Sequence, residues 1–245
     1  MPRLIIISGP SCVGKSPLVD ALDRFHPDLT EAMEVLVLFN DRKQRPGEVD
    51  GIDYHFRSRG EIEALRGDDR YVVVENRDDL QALEIASIER ILESGSDALY
   101  EGNPYVPAAL RNAGVLARVA ATTIFLSPLS REEILEARSR DIDLAGLVID
   151  IQRRKLLRRT QRQKGILSLP DLENIETRAK AAPGEMREAH RFDRIVPLHD
   201  GEGDDNWDAF PMPVGSARTA LAAVAAIVRG DEPAHAETWE SDLIA

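Results

Sequence analysis

The stretch that decides the fold of this 245-residue chain is Gly9-Pro10-Ser11-Cys12-Val13-Gly14-Lys15-Ser16. Its spacing, G-x-x-x-x-G-K-[ST], is that of a loop whose backbone N–H groups surround a phosphate. The apolar run Leu4–Ile7 before the loop predicts a short buried strand, and apolar positions from Leu18 to Phe25 predict the inner face of a helix. Because a strand and a helix N-terminus flank the loop, its N–H groups can converge on one anion. The stretch therefore predicts a nucleoside triphosphate-binding loop.

The residue types inside this loop indicate how each position contributes. Gly9 and Gly14 permit positive φ angles and a close approach of the backbone to a phosphate. Lys15 is expected to reach the β- and γ-phosphates, and the Ser16 hydroxyl is expected to bind Mg²⁺. The whole loop, Gly9 to Ser16, is thus the predicted cofactor-binding segment, with Mg²⁺ as the accompanying metal.

Composition narrows the class of protein. The length suits one sizeable α/β domain with an elaboration, or two small domains. A formal net charge of −12 argues against a general nucleic-acid or membrane-surface binder. The lone cysteine, Cys12, excludes an internal disulfide framework. No apolar stretch approaches the roughly 20 residues that span a bilayer, and the chain enters a strand almost at once. A cytoplasmic location is therefore expected.

Strand-like and helix-like segments alternate along the chain. The predicted strands are Leu4–Ser8, Val35–Phe39, Tyr71–Val74, Ala98–Tyr100, Thr122–Leu126 and Ile195–Leu198. The predicted helices are Lys15–Phe25, Arg59–Leu65, Leu80–Glu93, Val106–Ala113, Arg131–Arg140 and Val214–Val228. Asp141–Arg191 is mostly helical in pattern, with expected breaks at Pro170 and Pro183. This alternation predicts an α/β fold with a parallel sheet flanked by helices. Residues 230–245 form an acidic tail that we expect to be poorly ordered.

A second informative stretch runs from Asp41 to Phe56, D-R-K-Q-R-P-G-E-V-D-G-I-D-Y-H-F. Arg42 and Arg45 precede a Pro46-Gly47 turn, and Tyr54 follows nine residues after Arg45. Guanidinium groups are planar forks that match phosphate oxygens, and a tyrosine hydroxyl adds a neutral donor. The stretch predicts a second phosphate-binding segment, unless these arginines are only solvated charges in a loop.

The two stretches together resemble the guanylate kinase family in order and spacing, over about a quarter of the chain. The resemblance implies that Arg42, Arg45 and Tyr54 hold the phosphate of a nucleoside monophosphate, with Glu48 beside them. It also implies that Glu75 reads the base. Glu101 would serve base recognition and the Mg²⁺ site, because it falls where the family has an acidic D-x-D motif; Asn103 occupies the second acidic position of that motif.

The sequence departs from the family pattern at three places, two in the base pocket and one in the lid. Leu38 stands where the family has a base-contacting serine, and Arg77–Glu84 lacks the family's tyrosine and serine. Arg138, Arg140 and Arg178 resemble the arginines of the lid that closes over the triphosphate. Between them lies a basic run that contains Arg153, Arg154, Lys155, Arg158, Arg159, Arg162 and Lys164. This run could be a solvated or self-associating face, a source of phosphate contacts or a docking site for an acidic partner, and it lacks the interleaved aromatics of RNA binders.

The sequence therefore predicts a single P-loop kinase domain over residues 1–229. Its acceptor-binding insertion is expected at about 38–80 and its enlarged helical lid at about 138–190. The expected activity is transfer of the γ-phosphate of ATP to the phosphate of a nucleoside monophosphate, GMP or dGMP first. Two alternatives remain: a kinase for a non-nucleotide phosphorylated metabolite, and a non-catalytic binding module. A homodimer is left open.

Overall fold

The computed structural model describes residues 1–45 and 47–244, so Pro46 of the predicted turn lies outside the described residues. The chain divides into two compact units. The first comprises Met1–Ile6 and Ala32–Ala121, and the second comprises Ile7–Glu31 and Thr122–Ala245. None of the helices in the described ranges combines the length and the apolar character that crossing a membrane requires.

The described residues form nine strands and nine helices, besides three short 3-10 turns. The strands are β1 Leu4–Ser8, β2 Met33–Val35, β3 Phe39–Asn40, β4 His55–Phe56, β5 Tyr71–Asn76, β6 Asp79–Glu84, β7 Asp97–Gly102, β8 Ala121–Ser127 and β9 Arg194–Pro197. The helices are α1 Lys15–Phe25, α2 Pro27–Thr30, α3 Arg59–Glu63, α4 Ile85–Ser94, α5 Tyr105–Asn112, α6 Arg131–Ser139, α7 Leu144–Lys164, α8 Leu169–Arg187 and α9 Gly215–Arg229.

The first unit contains two groups of strands. β2, β7 and β1 are neighbours in one sheet, and β2 runs parallel to β7 with Val35 opposite Leu99. A separate four-stranded sheet, which we call the acceptor sheet, has the order β4-β3-β6-β5. Helix α3 covers one face of the acceptor sheet through Ile62, and α5 packs against β5. The acceptor sheet is thus a compact platform for the Asp41–Phe56 segment.

The second unit carries the phosphate loop and most of the helices. β1, which contributes residues to both units, neighbours β8, and β8 pairs in parallel with β9. The alanine-rich α9 packs against α1 and β9. Helices α7 and α8 form an antiparallel hairpin connected by residues 165–168. All five side chains of β1 and those of β8 from Thr123 onward are buried, as expected for strands covered on both faces.

The predicted helix Leu80–Glu93 is wrong over its first turn and a half. Residues Asp79–Glu84 form β6, which pairs with β5 around a tight turn at Asn76–Asp79, and the helix begins only at Ile85. Arg77 in this turn has a φ of 60°. A short apolar run does not distinguish a strand from a helix by spacing alone, and here pairing with β5 decided the outcome.

Two other boundaries also differ from expectation. The predicted strand Val35–Phe39 is divided between β2 and β3, which belong to different sheets. Pro183 lies inside α8 and does not break it, whereas Pro170 lies in the first turn, where no intrahelical N–H bond is lost. The α7–α8 hairpin is therefore longer and more regular than the prolines suggested.

The C-terminal segment is more firmly attached than predicted. Glu237 and Ile195 exchange two backbone hydrogen bonds, of 2.7 and 2.8 Å. The side chains of Trp239 and Leu243 are buried. The acidic composition suggested poor order for residues 230–245, but these two apolar side chains and the contact with β9 fix the described part of the segment.

Candidate active site

The phosphate loop has the backbone geometry that its glycines were expected to permit. Gly9 has a φ of 152°, and a Cβ there would lie 2.5 Å from the carbonyl oxygen of Leu126. Gly14 has a φ of 118°, and a Cβ there would lie 2.8 Å from the backbone carbonyl oxygen of Asp200. Both positions therefore require glycine on steric as well as conformational grounds. Helix α1 begins directly after Gly14.

Lys15 is fixed over the loop by the loop's own backbone. Its Nζ donates to the carbonyl oxygens of Gly9 and Pro10, each at 2.9 Å, and its side chain is buried. Ser16, the next residue, is exposed at the start of α1. The ammonium group is thus preorganised at the phosphate loop, and Ser16 follows it at the exposed start of α1.

Helix α8 contacts the loop through two charged side chains. Arg178 donates from Nε to the Ser11 hydroxyl at 2.8 Å, and its Nη2 donates to the same oxygen. The backbone N–H of Ser11 donates to Oε2 of Glu185 at 3.2 Å. Glu185 is only 1% exposed, and nothing in its sequence context distinguishes it from the other acids of a charged helix. Burial against the loop identifies it as a positioning residue that sequence reasoning missed.

The other two predicted lid arginines have different partners. Arg138 donates to the backbone oxygens of Asp242 and Leu243, at 3.1 and 3.4 Å. Arg140 forms an ion pair with Glu136, 2.5 Å away. Of the predicted lid arginines, Arg178 is therefore the one that the described residues bring to the phosphate loop.

Cys12 connects the loop to the α7–α8 hairpin. Its side chain packs with Leu156, Ile175 and Ala179, and its φ is 67°. Burial, assisted by the charge of Glu202, raises the pKa of the thiol to about 11. The thiol is therefore protonated at neutral pH and acts as a small apolar side chain in this core.

The basic run of α7 is largely neutralised by acids of the same unit. Arg159 pairs with Glu202 at 2.6 Å, and Arg158 pairs with Asp204 at the same distance. The remaining pairs are Arg162 with Asp205 and Asp208, Arg153 with Asp150 and Glu176, and Lys164 with Asp171. The exposed pairs among these add little stability, but together the pairs cancel most of the positive field that the sequence suggested.

The acceptor segment forms a compact cluster around Arg42. The guanidinium donates to both carboxylate oxygens of Glu48, at 2.8 and 2.6 Å, and its carbon lies 4.9 Å from the Tyr54 ring centre. Glu48 also accepts from the backbone N–H of Arg45 at 2.8 Å. The hydrogen bond from Arg42 is the main reason that the pKa of Glu48 is lowered. Burial raises the pKa of Tyr54, so its hydroxyl keeps its proton and can donate.

The two predicted base-reading acids have different surroundings. Glu101 lies at the end of β7 and acts on the pKa of Tyr54, so it lies near the acceptor cluster. Glu75 pairs with Arg59 at 2.6 Å, and Arg59 also pairs with Asp41. Glu75 shares strand parity with Val73, which packs against α3, so it lies on the α3 face of the acceptor sheet. The structure therefore does not bring Glu75 together with Arg42 and Tyr54.

Asp79 is a further acid that the sequence analysis missed. It is half-buried on β6, and burial is the main reason that its pKa is raised. Arg42 and Arg45 are among the charges that act on it in the opposite direction. Asp79 thus belongs to the surroundings of the two acceptor arginines.

Comparison with known proteins places these motifs in one family. The family model described as guanylate kinase matches residues 1–147, more than half of the chain, and ends inside α7. The guanylate kinase of Mycolicibacterium paratuberculosis is 32% identical over 199 residues, which are 79% of this chain and 73% of that protein. The guanylate kinase of Pseudoalteromonas translucida is 33% identical over 133 residues, or 54% of this chain.

The alignments cover only part of some relatives, and one solved structure has a similar fold. The alignments with the Pseudoalteromonas translucida and Rhodococcus jostii proteins span 61% and 62% of those proteins' lengths. The crystal structure of guanylate kinase from Anaplasma phagocytophilum can be superimposed on 94% of this chain and on 85% of its own length. The TM-score is 0.53 and the sequence identity is 16%. That likeness shows the α/β fold. The family match over residues 1–147 and the similarity to the Mycolicibacterium paratuberculosis protein show that the chain belongs to the guanylate kinase family.

Proposed function

We propose that this chain transfers the γ-phosphate of ATP to the phosphate of a nucleoside monophosphate, with GMP or dGMP as the first acceptor to test. The observation that carries the proposal is that one chain holds a complete phosphate loop and a separate arginine–tyrosine cluster of the acceptor type. Residues 1–229 would form the catalytic domain, with the acceptor insertion at about 38–80 and the lid at about 138–190.

On the donor side, Gly9–Ser16 would surround the phosphates of ATP, and Lys15 would neutralise charge on the transferred group. Arg178 supports the binding of phosphates by the loop, because it holds Ser11 in place. Arg138 and Arg140 would have to exchange their present partners for phosphate oxygens when the lid closes. Closure would exclude water and so suppress hydrolysis of ATP.

The side-chain chemistry of Ser16 and Glu101 suits a magnesium ion. A hydroxyl and a carboxylate are oxygen donors of the kind that Mg²⁺ prefers, directly or through water. Mg²⁺, when bound with ATP, would supply neutralisation of phosphate charge. We propose Ser16 and Glu101 as the residues that would hold it.

On the acceptor side, Arg42, Arg45 and Tyr54 would bind the acceptor phosphate. Glu48 would position the Arg42 fork, which already stacks on the Tyr54 ring. An acceptor phosphate oxygen attacks the γ-phosphorus directly, so the reaction needs no covalent nucleophile from the protein. We assign no base contact to Glu75, because it pairs with Arg59 on the other face of the acceptor sheet. A cytoplasmic location and a homodimer stay predictions.

The test is an acceptor panel with purified protein and ATP-Mg²⁺. ADP release would be followed with GMP, dGMP, AMP, CMP, UMP and several sugar phosphates, with Lys15→Ala as the blank. Turnover with GMP or dGMP that requires Lys15 is the expected result. Turnover only with sugar phosphates, or tight ATP binding with no turnover on any acceptor, would contradict the proposal.

A further inference from the structure

Two amide side chains of the acceptor sheet and a third that follows β7 have no role in the proposed phosphate contacts. Asn40 on β3 is directly opposite Gln81 on β6 in the strand register. Asn103, just after β7, donates from Nδ2 to Oε1 of Gln81 at 2.8 Å. These three side chains form the amide cluster, of which Asn40 (1% exposed) and Gln81 (7% exposed) are buried and Asn103 is partly exposed.

Strand alternation shows which face carries the amide cluster. Phe39, Leu80 and Ala82 pack against Ile62 of α3. Because successive side chains point to opposite faces, Asn40 and Gln81 must lie on the face away from α3. Leu38 and Leu83, which have the same parity, are also buried and give this face an apolar frame. Cross-strand pairs on such a face are close enough to act on one ligand group.

Backbone N–H groups determine which amide atoms are left for a ligand. The N–H of Tyr105 donates to Oδ1 of Asn103 at 3.0 Å, so Nδ2 of Asn103 faces Gln81. That bond occupies Oε1 of Gln81 and leaves its Nε2 as a donor. Similarly, the N–H of Arg42 donates to Oδ1 of Asn40 at 3.1 Å.

Asn40 supplies an independent observation that points to a ligand. Its Nδ2 is buried and makes no hydrogen bond within the described residues. A buried donor without an acceptor is costly, at about 1–3 kcal/mol. Asn40 and Gln81 therefore both offer N–H donors, and an incoming acceptor oxygen or nitrogen would satisfy them.

The acids near this cluster are associated with the phosphate-binding side chains. Asp79 lies in the field of Arg42 and Arg45, and Glu101 lies in the field of Tyr54. Glu75 lies on the α3 face and pairs with Arg59. The amide donors and their apolar frame are the neutral groups that this face offers to the rest of the acceptor molecule.

We infer that Gln81 and Asn40 determine acceptor specificity by donating hydrogen bonds to a ring carbonyl oxygen, which selects 6-oxopurine monophosphates without reading a 2-amino group. This inference rests on the proposed function of the acceptor segment. Guanine presents O6 and N7 as acceptors, whereas adenine presents an amino donor at position 6. Hypoxanthine has the same acceptor edge as guanine and lacks only the 2-amino group, so IMP should bind nearly as well as GMP.

The decisive variant is Gln81→Glu. A carboxylate of the same shape still accepts the hydrogen bond from Asn103 but replaces the Nε2 donor with an acceptor. Gln81→Met is the second variant, because it removes the donor without adding a charge. Gln161→Glu, an exposed position on α7, is the matched control. Equal thermal unfolding and equal ATP binding would show that the variants are folded.

The measurement is the calorimetric binding of GMP, IMP and AMP to these four proteins. For the unmodified chain we expect IMP within about fivefold of GMP, and AMP at least about tenfold weaker, the loss of roughly one good hydrogen bond. Gln81→Glu should weaken GMP and IMP by about tenfold or more and remove their advantage over AMP, while Gln161→Glu changes nothing. Binding of IMP more than about twentyfold weaker than GMP, or an unchanged GMP-to-AMP ratio in both Gln81 variants, would overturn the inference.

Binding and turnover separate the two proposals. Selective binding of GMP and IMP without formation of a diphosphate would contradict the proposed activity and still support the specificity assignment. Formation of GDP with an unchanged acceptor ratio in the Gln81 variants would contradict the specificity assignment alone.

Discussion

The most informative substitution in the acceptor segment is Arg42→Ala, because the contacts of Arg42 allow the expected loss in kcat/KM to be calculated. Arg42 presents a two-pronged fork, held by Glu48 at 2.8 and 2.6 Å and supported by the rings of Tyr54 and Phe56 at 4.9 and 5.4 Å. Charge-assisted hydrogen bonds contribute about 1.5–3 kcal/mol each. Loss of a two-pronged phosphate contact should therefore cost about 3–4 kcal/mol, which is about 100- to 1,000-fold in kcat/KM for the acceptor.

Arg42→Lys separates charge from geometry. Lysine keeps the positive charge but cannot form the planar fork or stack on Tyr54, so we expect an intermediate loss of about 10- to 30-fold. Arg57→Ala is the matched control, because Arg57 is exposed, lies 3.4 Å from Asp50 and, within the described residues, otherwise donates only to the carbonyl oxygen of Phe56, at 2.7 Å. The assay is coupled ADP release with the acceptor varied at saturating ATP, and then with ATP varied.

The expected pattern is a large loss in acceptor kcat/KM with an unchanged KM for ATP. If Arg42→Ala left acceptor kinetics equal to those of Arg57→Ala, the assignment of Asp41–Phe56 as the acceptor segment would be refuted. A loss of the same size in ATP and acceptor parameters, together with a lower melting temperature, would instead mean that Arg42 is mainly structural.

Two further predictions concern the phosphate loop. Arg178→Ala should raise the KM for ATP by about tenfold and leave the KM for the acceptor unchanged, because Arg178 holds Ser11 of the loop; equal effects on both substrates would contradict this role. Cys12 has a folded-state pKa of about 11, above its ordinary value of 9.0, so its contribution to stability is complete below pH 9 and is lost as pH rises toward 11. Between pH 9 and 11 the free energy of unfolding of the unmodified chain, measured by denaturant titration, should therefore fall relative to that of Cys12→Ala. Parallel pH profiles for the two proteins would exclude this contribution of Cys12.

The backbone geometry of the phosphate loop could be predicted because it depends on local sequence. Gly9, Gly14, Lys15 and Ser16 are close in the chain, and the strand and helix that flank them are strongly patterned. The acceptor cluster of Arg42, Glu48 and Tyr54 was predictable for the same reason, since its members lie within 13 residues. Both stretches are short enough that spacing alone conveys geometry.

Long-range packing could not be predicted in the same way. Glu185 supports Ser11 across 174 residues, and its burial cannot be inferred from a charged helix. β6 had the spacing of a helix, and only its pairing with β5 decided its structure. The face of Glu75 followed from that pairing, so the expected base contact could not be tested before the strands were placed. The arginines of α7 suggested a basic surface, but Arg158 and Arg159 find their acidic partners in a loop more than 40 residues away.

The most direct test of the central claim is to follow the phosphorus atoms themselves. Phosphorus-31 NMR of ATP-Mg²⁺ and GMP mixed with the purified chain should show GDP and ADP formed in equal amounts. Lys15→Ala, which lacks the ammonium group held at Gly9 and Pro10, should show neither. Inorganic phosphate in place of GDP, or GDP formation at an undiminished rate by Lys15→Ala, would contradict phosphoryl transfer at this loop.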